Sequence, residues 1–188
     1  MDEHDPTPIL GPIPRTALPG GAVISYLSPL LAVIVGIVHA ALAPIVVIGG
    51  VKPNLVLVAV VLVTALAGFM PGITWAFVAG VTANLLVGDP LGSIPITMLI
   101  VAALVAGGAR ALGRMVWIYP VMAVFVGSIV ADLGALLIGQ LVGGAGPVDV
   151  PVPIILAAAA LNSAIAALAL YPARVFSARY VNNEATAW

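Results

Sequence analysis

Residues 51–88 form a nearly unbroken apolar run, and that run constrains the fold more than any other feature of the chain. As a single helix it would reach roughly 57 Å, almost twice the ~30 Å hydrocarbon core of a bilayer. It has to fold back on itself. The stretch GFMPG at 68–72 is the one place in it with turn chemistry, and Pro71 suits the first turn of a following helix. Hydrophobic residues make up 63% of the 188-residue chain and charged residues only 7%. A soluble domain carries about 25% charged residues, so most of this surface is expected to face lipid.

A bilayer core needs about 20 apolar residues of helix. That length divides the chain into six expected spans, at 23–48, 51–67, 70–88, 92–112, 116–141 and 152–171. The fold class is an all-α integral membrane protein, a six-helix transmembrane bundle over residues 23–172. Residues 1–22 carry Asp2, Glu3, Asp5 and five prolines, and read as a flexible acidic tail. Their acidic opening does not read as a secretory leader, which opens with positive charge. Residues 173–188 form a short C-terminal tail.

With six spans, both termini and the turns at 68–72 and 110–114 share a side. Arg15, Arg110, Arg114, Arg174 and Arg179 fall there and only Lys52 on the other, so both termini are expected in the cytoplasm. Tyr26, Trp75, Trp117, Tyr119 and Tyr171 fall near the same boundary and read as an aromatic belt. The other boundary has no Trp or Tyr, which leaves its helix ends either covered by a partner or simply without a belt.

Small residues recur every fourth position in two spans: Gly72, Ala76, Gly80, Asn84 and Gly88 in the third, and Gly127, Ala131, Ala135, Gly139 and Gly143 in the fifth. Residues four apart share a helix face. In lipid such stripes let backbones approach closely and pack by dispersion. The plainer reading is internal packing; the sharper one makes a stripe the docking surface for another membrane helix. A second pattern is polar. Asp132 lies mid-span with Ser128 one turn before and Gln140 two turns after, and His39, Thr64, Thr82, Asn84 and Asn162 are candidate partners on other spans. A charge at that depth has to be paired, protonated or wet. A buried network that fixes helix packing and a ligand or proton site both satisfy that requirement.

Some chemistry is unsupported. The chain has no cysteine and two histidines, one of them in the tail, so neither a disulfide framework nor a metal site is expected. No nucleophile-and-base set suggests itself, and GDPLG lacks the long loop and the Lys of a phosphate cradle. An enzyme, a cofactor and a nucleic-acid partner are not expected.

One stretch exceeds helix punctuation: GVTANLLVGDPLG at 80–92. Gly88 ends a helix, Asp89-Pro90 makes a turn and Gly92-Ser93 starts the next span, but Asn84 sits one turn inside. Together with Pro53-Asn54-Leu55 at the start of the second span, the set Gly80, Asn84, Leu85, Leu86, Gly88, Pro90, Leu91 and Gly92 resembles the MreD family, the small membrane subunit of the bacterial rod-shape (elongation) machinery. The family's usual Asp in this motif is Asn84 here, which argues against an essential charge at that position. The resemblance implies a non-enzymatic scaffold in the bacterial cytoplasmic membrane that binds MreC. Through MreC it would reach the RodA glycosyltransferase and the elongation transpeptidase that build lateral peptidoglycan. It also implies a fold similar to the substrate-binding subunits of energy-coupling-factor transporters, which supplies the alternative of a vitamin-type binding subunit. On the scaffold reading, the third-span stripe with Asn84 and the turn at Asp89, Pro90 and Gly92 meet the partner's transmembrane helix, and membrane lipids surround the rest.

Overall fold

The computed structural model describes residues 20–42, 45–112, 118–143 and 150–180. Over these residues the chain is all helical: α1 (Gly20–Leu42), α2 (Leu55–Ala67), α3 (Phe69–Leu86), α4 (Ser93–Leu112), α5 (Tyr119–Gly143) and α6 (Val152–Tyr180). Within α3, α4, α5 and α6 lie segments long and apolar enough to cross a membrane; Leu27–Leu42 of α1 and the whole of α2 are shorter apolar helices. The protein is therefore a membrane protein by helix length and composition.

The centre of the bundle is α2. It packs against all five other helices, and its sequence, LVLVAVVLVTALA, has no polar face to present to anything but protein. Val56, Leu57, Val60 and Val61 are completely buried. The helix is also short. Residues 45–54 approach it as irregular chain with a tight turn at Gly49-Gly50, closed by the Ile48–Val51 bridge. Within this segment Val51 and Pro53 are buried, whereas Ile45, Val47, Ile48, Gly49, Gly50 and Lys52 are exposed.

The fold-back expected at 68–72 is tighter than the sequence suggests. Gly68 alone separates α2 from α3, with φ of 100°. That conformation is open to glycine and costly for other residues. Pro71 then occupies the first turn of α3, where its missing N–H costs nothing. α3 packs on α2, α1 and α4, and small residues set each contact. A Cβ on Gly72 would stand 2.8 Å from Thr64 Cβ, one on Gly80 2.8 Å from Pro95 Cα, and one on Gly36 2.8 Å from Thr82 Cβ. These backbones are as close as they can come.

Helix ends differ from the expected spans at several places; α2 begins at Leu55, four positions late, and α5 at Tyr119, three positions late. α1 stops at Leu42, six positions short, and begins at Gly20, inside the expected tail of residues 1–22. α6 runs on through Pro172 to Tyr180, where the sequence reading began a tail at residue 173. Proline fixes its own φ near the helical value and removes a single ladder bond, so it bends a helix without always ending it. Residues 1–19 and 181–188, with Arg15 and Trp188, lie outside the described residues, as do Arg114, Trp117 and Asp149.

The aromatic belt is partly an interior feature. Trp75 is 9% exposed, and its indole N–H donates to Ser28 Oγ at 2.8 Å, joining α3 to α1. The Tyr119 hydroxyl donates to the Val105 carbonyl, joining α5 to α4. Only Tyr171, 79% exposed, stands outward among the belt side chains described. A ring with a polar edge satisfies that edge on a neighbouring helix as readily as at a headgroup.

Candidate functional site

Two asparagines, both in the stretches that set this sequence apart, hold the irregular parts of the backbone. Asn84 is 3% exposed. Its Oδ1 accepts the Gly92 N–H at 2.6 Å, and its Nδ2 donates to the carbonyls of Asp89 at 3.4 Å and Pro90 at 3.2 Å. One side chain at the end of α3 thus ties down the turn that leads into α4. Gly92 has φ of 89°, which few residues besides glycine adopt. The turn's outer atoms face away from the bundle: Gly88, Asp89, Pro90 and Leu91 are exposed, as are Leu85 and Leu86 just before them.

Asn54 holds the start of α2. Its Oδ1 accepts the Leu57 N–H at 3.0 Å as a helix N-cap. Its own N–H donates to Asn162 Oδ1 at 2.8 Å, and Asn162 Nδ2 donates to Ser128 Oγ at 3.0 Å. Asn162 and Ser128 are 2% and 1% exposed. The chain of bonds joins α2, α6 and α5.

The expected polar seam therefore divides. Ser128 and Asn162 are brought together, and the third member is Asn54, whose backbone N–H could not have been matched to Asn162 from sequence. Asp132 and Gln140 are half-buried, lie further along α5 and take no part in any hydrogen bond. His39 belongs to α1, away from the seam. Its Nδ1 is sealed from solvent without a hydrogen-bond partner.

The third-span stripe also divides, and this corrects the reading of it as a docking face. Gly72, Ala76, Gly80 and Asn84 are buried against neighbouring helices of the same chain, which leaves no surface there for another protein. Their spacing is explained by α2 and α4 lying on them. The turn residues Gly88, Asp89 and Pro90 are free at the surface, and a Cβ on Gly88 would meet nothing within 4 Å. Gly92 is half-buried beneath them.

A half-open cleft of about 220 Å³ lies between α4 and α5, lined by Leu104, Gly108, Tyr119, Met122, Val126 and Val130. Its lining is almost wholly apolar, suited to hydrocarbon more than to a polar solute. Among the described residues no group of three or more His, Cys, Asp or Glu converges as metal ligands would. Compared with known proteins, the chain matches no family model, no curated protein and no solved structure.

Proposed function

We propose that this protein is a non-enzymatic scaffold of the bacterial cytoplasmic membrane, an MreD-type subunit of the elongation machinery. In this reading it crosses the membrane six times with both termini in the cytoplasm, on a bundle similar to the substrate-binding subunits of energy-coupling-factor transporters. It binds MreC, and through MreC it helps to organise the RodA glycosyltransferase and the elongation transpeptidase in lateral peptidoglycan synthesis.

The observation that supports this reading is how the distinctive residues are used. Asn84 spends both ends of its amide on the protein's own backbone, and Asn54 Oδ1 caps α2. A group so engaged gives shape. What Asn84 shapes is a rigid exposed turn, Gly88 to Leu91, beside two exposed leucines at the end of α3. Hydrogen bonding of this kind tolerates Asn where the MreD pattern carries Asp, because the Gly92 N–H needs only a side-chain oxygen to accept it. The partner's transmembrane helix meets the protein at this turn and the apolar residues beside it, and the internal stripe below keeps the turn in place.

Affinity purification of the tagged full chain from the membranes of a rod-shaped bacterium tests the reading. MreC is expected in the eluate, and Gly88→Leu, which alters only the surface, is expected to reduce it. Recovery of an energising ATPase in place of MreC, with thermal stabilisation by a vitamin, would reverse the assignment in favour of a transporter subunit.

A further inference from the structure

Asp132 is the fourteenth residue of the α5 helix, which spans Tyr119–Gly143, so its carboxylate sits roughly 16–20 Å from either helix end. It is half-buried, forms no hydrogen bond or ion pair, and its oxygens are not among the side-chain atoms sealed inside the protein. They reach the surface of the described bundle. Among the described residues, no charged side chain on the helices packed against α5 answers the charge. α2, over Leu55–Ala67, has no ionisable side chain; α4 has none before Arg110; α6 has no Asp, Glu, Lys, Arg or His before Arg174. Lys52, ahead of α2, makes no ion pair with it. A carboxylate left to hydrocarbon is costly, and intramembrane charges are met by a partner.

The neighbouring surface suits such a partner. Gly139 and Gly143 lie within about 20° of Asp132 around the helix, two and three turns along. Both are exposed, and a Cβ on either would meet nothing within 4 Å among the described residues. The fifth-span stripe spirals: Gly127 and Ala131 are consumed inside the bundle, whereas Ala135, Gly139 and Gly143 emerge on the outside. A glycine pair four residues apart permits close backbone approach by a crossing helix.

We infer that the Asp132 face of α5 receives a transmembrane helix of another protein that carries a lysine or arginine at mid-bilayer depth. A second copy of this chain is the poorer occupant. A two-fold contact through this face would set Asp132 against Asp132, like charge on like. The face is separate from the α3–α4 turn, so this inference stands whether or not MreC is the partner there.

The test uses the labelled full chain in phosphatidylcholine vesicles with synthetic leucine-rich transmembrane helices, and reads association by energy transfer. One helix carries a single central lysine; the control carries leucine there. The lysine helix is expected to associate at least tenfold more strongly than the control, and Asp132→Asn and Asp132→Leu should each remove most of that difference. Gly139→Leu should weaken association of the lysine helix as well. Both Asp132 substitutions suit a lipid-facing site, and unchanged thermal unfolding will verify that each variant folds. Equal association of the two helices, or full retention by Asp132→Leu, overturns the inference. Energy transfer between copies of the protein that Asp132→Asn abolishes also overturns it, in favour of self-association.

Discussion

The backbone N–H of Asn54 donates to Oδ1 of Asn162 across 2.8 Å, so the N-cap of the central helix is fixed to the interior of α6. Asn162 passes the connection to Ser128 on α5. Three helices far apart in sequence are held together by a single amide side chain, where no water is at hand to replace a lost bond.

Asn162→Leu should therefore destabilise the protein by about 1–2 kcal/mol, within the range for leaving buried polar groups unpaired and near the upper end for membrane interiors. Ser163→Ala, which removes only a long 3.5 Å bond to the Val121 carbonyl, should cost under about 0.5 kcal/mol. Reversible unfolding in mixed micelles measures both. Equal effects would contradict the network.

Asn84 makes a directional prediction. Asn84→Asp keeps the acceptor for the Gly92 N–H but removes the amide donor to the Asp89 and Pro90 carbonyls; Asn84→Ala removes both. Hydrogen exchange at the Gly92 amide should accelerate at least tenfold in Asn84→Ala and less in Asn84→Asp, a tenfold change corresponding to about 1.4 kcal/mol. The same order is expected for proteolytic nicking of the turn.

Glycines on one stripe should differ sharply. Gly80→Ala sets a methyl group against the Pro95 backbone of α4 and should cost about 1–3 kcal/mol. Gly88→Ala meets open space and should change stability by less than about 0.5 kcal/mol. Thermal midpoints in detergent separate the two, and a similar loss at both sites would show that the stripe is not internal packing.

Trp75 and Ser28 should act as a pair. Trp75→Phe and Ser28→Ala each lose the 2.8 Å bond between α3 and α1, for about 0.5–1.5 kcal/mol. The double variant should cost less than the sum of the two, and a double-mutant cycle in micelles reads that coupling. Strict additivity would mean that the indole N–H is not engaged.

Much of the fold is legible in the sequence because lipid leaves few options. An apolar run too long for one crossing has to turn, and Gly68 is where glycine chemistry permits it. Periodicity shows that Gly72, Ala76, Gly80 and Asn84 share a face, but not whether that face meets another protein or the next helix of the same chain. The structure gives the second answer through Thr64 and Pro95. Trp75 is similar: its position along the sequence says nothing of its bond to Ser28. The uniform apolarity of α2 is itself a sign, legible in the sequence, that it is central. The Asn54–Asn162 bond was not, since one partner is a backbone N–H that every residue but proline possesses.

The central claim is that an exposed turn, held from below by Asn84, receives a partner helix. The most direct measurement is titration of MreC, with its transmembrane segment, onto the full chain in lipid nanodiscs. Saturable one-to-one binding is predicted, weakened at least tenfold by Gly88→Leu combined with Leu91→Asp and unaffected by Phe77→Leu on an exposed face of α3 away from the turn. Absence of saturable binding, or binding that the paired turn substitutions leave unchanged, would contradict it.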